Sequence, residues 1–173
     1  MKQIIMISGK AGHGKDTVAQ LLKEELEQKG EKVLTIHFGD PVKWFAREYY
    51  GYTGKKDQKE RALLQYIGTE MMRRYDKYYW GSIISEFIAA NEDFTVAIIP
   101  DWRFYSELRA IEQDNPRSVI TIRVNRTNYE NESLTPEQRH HISETELDDA
   151  IFDYTIENNG TLEDLREKIR GIV

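Results

Sequence analysis

The stretch Ile4-Ile5-Met6-Ile7-Ser8-Gly9-Lys10-Ala11-Gly12-His13-Gly14-Lys15-Asp16-Thr17 constrains this chain more than any other. Its isoleucine-rich opening suits a strand buried on both faces, the glycines mark a turn, and Val18-Ala19-Gln20-Leu21-Leu22 begins a helical pattern. Gly9, four intervening residues, Gly14 and Lys15 match the phosphate-binding pattern G-x-x-x-x-G-K-[ST] except at its last position, where Asp16 stands. Glycines let successive N–H groups turn inward around phosphate oxygens. The helix start adds the positive end of its dipole, and the lysine reaches the β- and γ-phosphates.

A carboxylate beside a triphosphate is repulsive unless a cation lies between them. Asp16 therefore reads as a Mg²⁺ ligand, direct or through water, in the role that a Ser or Thr hydroxyl usually fills, with Thr17 placed to hydrogen-bond a phosphate. The plainer alternative makes Asp16 a helix-start carboxylate favoured by the dipole. His13 reads as a spacer in the loop rather than a base, because phosphoryl transfer rests mainly on positioning and charge.

The rest of the chain alternates strand with helix. A helix from Asp16 to Lys29 carries Val18, Leu21, Leu22 and Leu26 at helical spacing and stops at Gly30. A strand Val33 to Phe38 follows, then a helix capped by Asp40 with Pro41 as its first residue, and a loop from Gly51 to Asp57. Helices are expected over Gln58 to Tyr75 and Trp80 to Ala90, and a strand over Phe94 to Ile99, ending at Pro100-Asp101-Trp102-Arg103. A helix Phe104 to Asp114 and a strand Ser118 to Val124 come next. The polar, charge-dense segment Asn125 to Asp149 reads as a lid. Tyr154-Thr155-Ile156 is a short strand, Asn158-Asn159-Gly160 a turn, and Thr161 to Gly171 a closing helix.

Five strands separated by helices imply an α/β fold: a five-stranded parallel sheet with helices on both faces. Ligands of such sheets bind beyond the carboxyl ends of the strands, which places Asp101 and Arg103 where chemistry would occur. The 173 residues show no internal repeat and no second-domain boundary, so a single domain over 1–173 is expected, with its lid at about 125–149. A net charge of -6 argues against a nucleic-acid-binding surface. The chain has no cysteine, signal peptide or long apolar span, and the expectation is a cytoplasmic protein with no membrane partner.

A family resemblance rests on several segments together. The Gly-Lys-Asp-Thr loop resembles that of phage-type deoxynucleoside monophosphate kinases and, more distantly, animal-type phosphomevalonate kinases. Phe38-Gly39-Asp40-Pro41-Val42-Lys43 is similar to the first family's Phe-Ala-Asp-Pro-Leu-Lys stretch. Leu64-Gln65-Tyr66-Ile67-Gly68-Thr69-Glu70, with Arg73 and Trp80, resembles its Gln-x-x-Gly-Thr-Glu segment, and Asp101-Trp102-Arg103-Phe104 its Asp-x-Arg-Phe strand end. The closing Asp153 to Leu162 is shared more widely, including with dephospho-CoA kinases. Gly39 replaces the usual alanine, and the lid carries fewer arginines than adenylate-kinase-type lids.

The resemblance implies a P-loop NTPase-type three-layer fold, and ATP- and Mg²⁺-dependent phosphorylation of a deoxynucleoside monophosphate. Two anionic ligands must then meet away from water, so cations are needed on both sides. Lys15 serves the donor; Arg73 and Arg103 serve the acceptor, with Lys43 a further candidate, because arginine forks onto phosphate. Asp40, Gln65, Thr69 and Trp80 join the acceptor set through the matching segments. Asp101 reads as a second metal or acceptor-orienting carboxylate, or as a helix cap. Arg126, just past a strand end, is preferred over Arg139 as the lid residue that closes on the phosphates. Asn158 and Gly160 lie where such folds receive the donor adenine.

Two further readings concern stacking and metals. Trp44, Tyr66, Trp80 and Trp102 are candidates to stack a base, although aromatics at helical spacing more often build core. His140-His141 reads as surface rather than a metal site, since helical neighbours point about 100° apart. The alternatives to a nucleotide kinase are another small-molecule kinase on this scaffold, of the phosphomevalonate or dephospho-CoA type, or a nucleotide-binding switch. Whether the chain forms a homodimer is left open.

Overall fold

A computed structural model describes residues 2–55, 57–115 and 118–173; Lys56, in the expected loop Gly51 to Asp57, lies outside the described residues. The sheet is built on β1 (Gln3–Ser8), paired in parallel with β3 (Val96–Trp102) on one side and β4 (Val119–Asn125) on the other. The short strands β2 (Val33–Thr35) and β5 (Tyr154–Glu157) take the edges, giving the order β2-β3-β1-β4-β5, all parallel.

Alternation along β1 decides which helices cover which face. Ile5 and Ile7 pack against Val18, Leu22 and Leu26 of α1 (Lys15–Gln28) and against Leu165 and Ile169, while Ile4 and Met6 face the opposite layer. That layer contains Ile84 and Ile88 of α4 (Tyr79–Ala90) and Ile111 of α5 (Tyr105–Asp114). All four β1 side chains are fully buried, each worth about 1.5–3 kcal/mol by transfer from water. α1 leaves β1 towards one face and α5 leaves β3 towards the other, so a crevice opens between the carboxyl ends of β1 and β3.

An arm extends beside this crevice. It consists of α2 (Gly39–Tyr50), α3 (Gln58–Gln65) and a π-helical turn over Tyr66–Met71, and it has its own core of Val42, Ala46, Ile67 and Trp80. The lid carries the short helices α6 (Pro136–Arg139) and α7 (Ile142–Thr145), and α8 (Leu162–Arg170) closes the chain. Among the described residues, no helix is long and apolar enough to cross a membrane.

Several expected boundaries move, for identifiable reasons. The strand expected over Val33 to Phe38 ends at Thr35: Ile36 still donates to Ile98, but the Phe38 and Gly39 N–H groups turn to the Asp101 carboxylate. That contact starts α2 at Gly39, with Phe38 rather than Asp40 at the N-cap; Asp40 lies in the first turn and accepts from the His37 N–H. The single helix expected over Gln58 to Tyr75 ends at Gln65 and passes into the π turn, where the buried Trp80 indole N–H bonds the Gly68 carbonyl. Such turns gather at functional sites. Finally, β3 runs through Pro100 and Asp101. Met6 pairs with Ile99 but Ser8 with Trp102, so β3 holds an extra residue at its proline, as strands tolerate at bulges.

Candidate active site

The loop after β1 has the form that the glycine spacing dictates. Gly14 sits at φ 93°, and a Cβ there would lie 2.4 Å from Asn158 Nδ2, which donates to the His13 carbonyl at 3.0 Å. Gly12, at φ 84°, is covered by the Tyr129 ring of the lid. Lys15 folds back, its ammonium donating to the carbonyls of Gly9 at 2.7 Å and Lys10 at 3.0 Å. Burial pushes its pKa down to about 7, and nearby Arg103 adds to that; Glu144, Asp16 and Asp101 act in the opposite sense. Five charged groups thus converge on one corner. Asp16 and Thr17 are exposed on the first turn of α1.

The end of β3 supplies the facing wall. Asp101 accepts from the N–H groups of Phe38 at 2.9 Å and Gly39 at 2.8 Å, tying the start of α2 to the sheet. Arg103 donates to Ser143 O at 3.2 Å and pairs with Glu144 Oε1 at 2.9 Å. The other Glu144 oxygen accepts from the Ala11 N–H at 3.0 Å. One lid carboxylate therefore bridges the phosphate loop and Arg103. Behind them Arg73 lies over the Phe104 ring at 3.9 Å and pairs with Glu107, whose carboxylate also accepts from the N–H groups of Arg103 and Phe104.

A cleft of about 460 Å³ opens between these elements, walled by Gly39, Lys43, Gln65, Thr69, Arg73 and Arg103 among others. A second cavity of about 390 Å³ lies between the loop residues Lys10, Ala11 and His13 and the lid residues Tyr129, Arg139 and Asp148. The lid is latched over the loop by Asp148, which pairs with Lys10 at 3.0 Å and Arg123 at 2.8 Å.

Not every expected site residue reaches these cavities. Trp80 and Trp102 are core, with their indole N–H groups satisfied by the Gly68 and Phe104 carbonyls, so neither is free to meet a base. Trp44 and Tyr66 are exposed and stand outside the cleft lining. Asp40 is exposed and engaged with Lys43 and His37 instead of walling the cleft. Asp101, expected as a second metal or acceptor-orienting carboxylate or as a helix cap, does line the cleft, and both its oxygens accept from N–H groups at the start of α2. Asn158 supports the loop from behind, and Gly160 packs against the Asp164 carboxylate that caps α8. Arg126 stacks on Tyr129 at 4.4 Å, and its backbone N–H meets His13 Nδ1 at 3.2 Å. Arg139 pairs with Glu130, and His140 bonds the Pro136 carbonyl.

Two carboxylates of the site were not singled out by sequence reasoning. Glu107 carried a legible signal, an acid in the first turn of the helix after Arg103. Glu144 carried none, because its partners lie far away along the chain.

A parallel 2-3-1-4-5 sheet with a glycine-lysine loop after its central strand and a lid over that loop defines a P-loop kinase. Solved structures agree over nearly the whole chain. The APS kinase of Mycobacterium tuberculosis superposes with a TM-score of 0.56 at 12% identity, covering 99% of this chain and 96% of that one. The same enzyme in complex with AMPPNP and APS gives 0.54 at 11% identity, with coverage of 99% and 96%. Shikimate kinase from Aquifex aeolicus gives 0.50 at 14% identity, with coverage of 98% and 95%. The chain belongs to the deoxynucleotide monophosphate kinase family, whose profile matches residues 54–169. It is a nucleotide kinase, a phosphotransferase. No curated protein matches the chain. The matched span begins after the phosphate loop, so loop geometry and family membership are independent observations.

Proposed function

We propose that the chain moves the γ-phosphoryl group of ATP onto the phosphate of a deoxynucleoside monophosphate held in the cleft between Arg73 and Arg103. The observation that carries this reading is the seat of Glu144. An oxyanion placed there meets the Ala11 N–H on the donor side and the Arg103 guanidinium on the acceptor side. Phosphoryl oxygens in transit need that same two-sided complement.

The donor's phosphates replace the Gly9 and Lys10 carbonyls as partners of Lys15 and favour its charged form. Asp16, exposed at the start of α1, fits a divalent cation, and Mg²⁺ bound there would offset charge on the β- and γ-oxygens. Among the described residues no three His, Asp or Glu side chains converge, so its other ligands would be phosphate and water. Asp101 sets the cleft wall by holding α2. Lys43, Gln65 and Thr69 face the acceptor, and Arg126 with Tyr129 lies above the donor loop. The segment at about 125–149 acts as the lid of one domain.

ATP consumption with Mg²⁺ across ribo- and deoxynucleoside monophosphates, phosphomevalonate and dephospho-CoA tests the reading. Transfer to a deoxynucleotide such as dGMP or dTMP is expected. Transfer only to another acceptor would reassign the cleft, and nucleotide binding with no transfer at all would favour a switch.

A further inference from the structure

Arg73 and Arg103 come from different elements, the turn after the π helix and the end of β3, yet one carboxylate touches both. Glu107, 2% exposed on the first turn of α5, pairs with Arg73 through Oε1, while its Oε2 accepts from the Arg103 N–H at 2.8 Å and the Phe104 N–H at 3.1 Å. Three donors offset part of the cost of burying this carboxylate. The Phe104 ring fixes the face of the Arg73 guanidinium and Glu107 fixes one edge. Its remaining bonds, to Lys77 O and Ser106 Oγ, are long at 3.3 Å, and the buried Nε has no partner at all.

We propose that Glu107 is a positioning residue for the acceptor: it holds the Arg73 guanidinium and the Arg103 backbone to one another, and so sets the spacing at which both arginines meet one phosphate. This rests on the reading of the cleft as the acceptor site. Glu107 itself needs no contact with the nucleotide. Buried pairs kept only for stability would weaken both substrates equally on loss, whereas a positioning pair acts on one of them. The charged groups facing Glu107 are Arg73, from the arm, and Asp101, from β3; burial pushes its carboxyl up to about 7, so it ionises as pH rises through neutrality.

Glu107→Gln keeps the volume and removes the charge. The expected result is a rise of about tenfold in KM for the deoxynucleoside monophosphate with KM for ATP changed less than about twofold. The kcat/KM for the acceptor should gain with pH near 7 in the wild type and be flat there in the variant. Should the glutamine variant fail to fold, Glu107→Asp, which keeps the charge and shortens the reach, should show the same acceptor-selective rise. Equal rises for both substrates, or no change for the acceptor, would overturn the inference while leaving the cleft assignment standing. Calorimetry of the wild type with deoxynucleoside monophosphates separates the two: no binding by any of them overturns the assignment and the inference together.

Discussion

Lys15 and Glu144 meet in one corner with opposite needs. Lys15 is buried and has only carbonyl partners, so its proton is held weakly; a triphosphate would restore it. Nucleotide binding at pH 8 is therefore expected to take up a proton, seen as a buffer-dependent calorimetric enthalpy, and Lys15→Met should abolish both that uptake and phosphoryl transfer, the latter by about 10³-fold or more. Glu144 already occupies the place of an oxyanion, and a ligand that enters must displace it. Glu144→Gln should tighten ATP binding about fivefold, a gain limited to the cost of that displacement. Unchanged affinity in calorimetry would show that the carboxylate does not compete. Lys15 was legible in the sequence because loop, spacing and lysine are local. Glu144 was not, since its ligand-like role depends on a fold that brings α7 onto residue 11.

At the scale of elements, legibility follows the range of the interactions. β1, α1 and α8 came through with only small boundary shifts because their apolar periods and their turn or capping residues are contiguous. The early end of β2 and the start of α2 at Gly39 are set by Asp101, sixty-odd residues away, and no local pattern announces it. The π turn likewise depends on Trp80 reaching back to Gly68. The α4–α5 packing carries a specific vulnerability. A Cβ on Gly81 would lie 2.7 Å from Ala110 Cβ and 3.3 Å from the Glu107 backbone. Gly81→Ala should cost about 1–3 kcal/mol in urea unfolding through overpacking, and should weaken the acceptor more than ATP because the helix carrying Glu107 is displaced.

For the molecule as a whole, the site opposes the stability of the fold. Glu107 holds its proton to about pH 7 when folded, against 4.5 when unfolded, so its contribution to stability falls as pH rises across that window. Lys15 loses its proton near 7 when folded, against 10.5 when unfolded, so its contribution rises from there upward. The two slopes meet near neutrality. Urea unfolding across pH 5 to 10 should show a shallow minimum there, with Glu107→Gln flattening the acid side and Lys15→Met the alkaline side. Bound ATP should fill the minimum in by favouring charged Lys15.

The sheet order also fixes when the site can exist during synthesis. β1 precedes every strand it needs, with β3 and β4 on its two sides arriving only after residues 96 and 119, and the clamp on the phosphate loop arriving with Asn158. A chain grown through residue 115 has β3 to pair with β1 but still lacks β4, β5 and the Asn158 that braces the phosphate loop. The loop's bracing is thus completed only late in the chain, and until β4 is made one side of the isoleucine strand is without its partner.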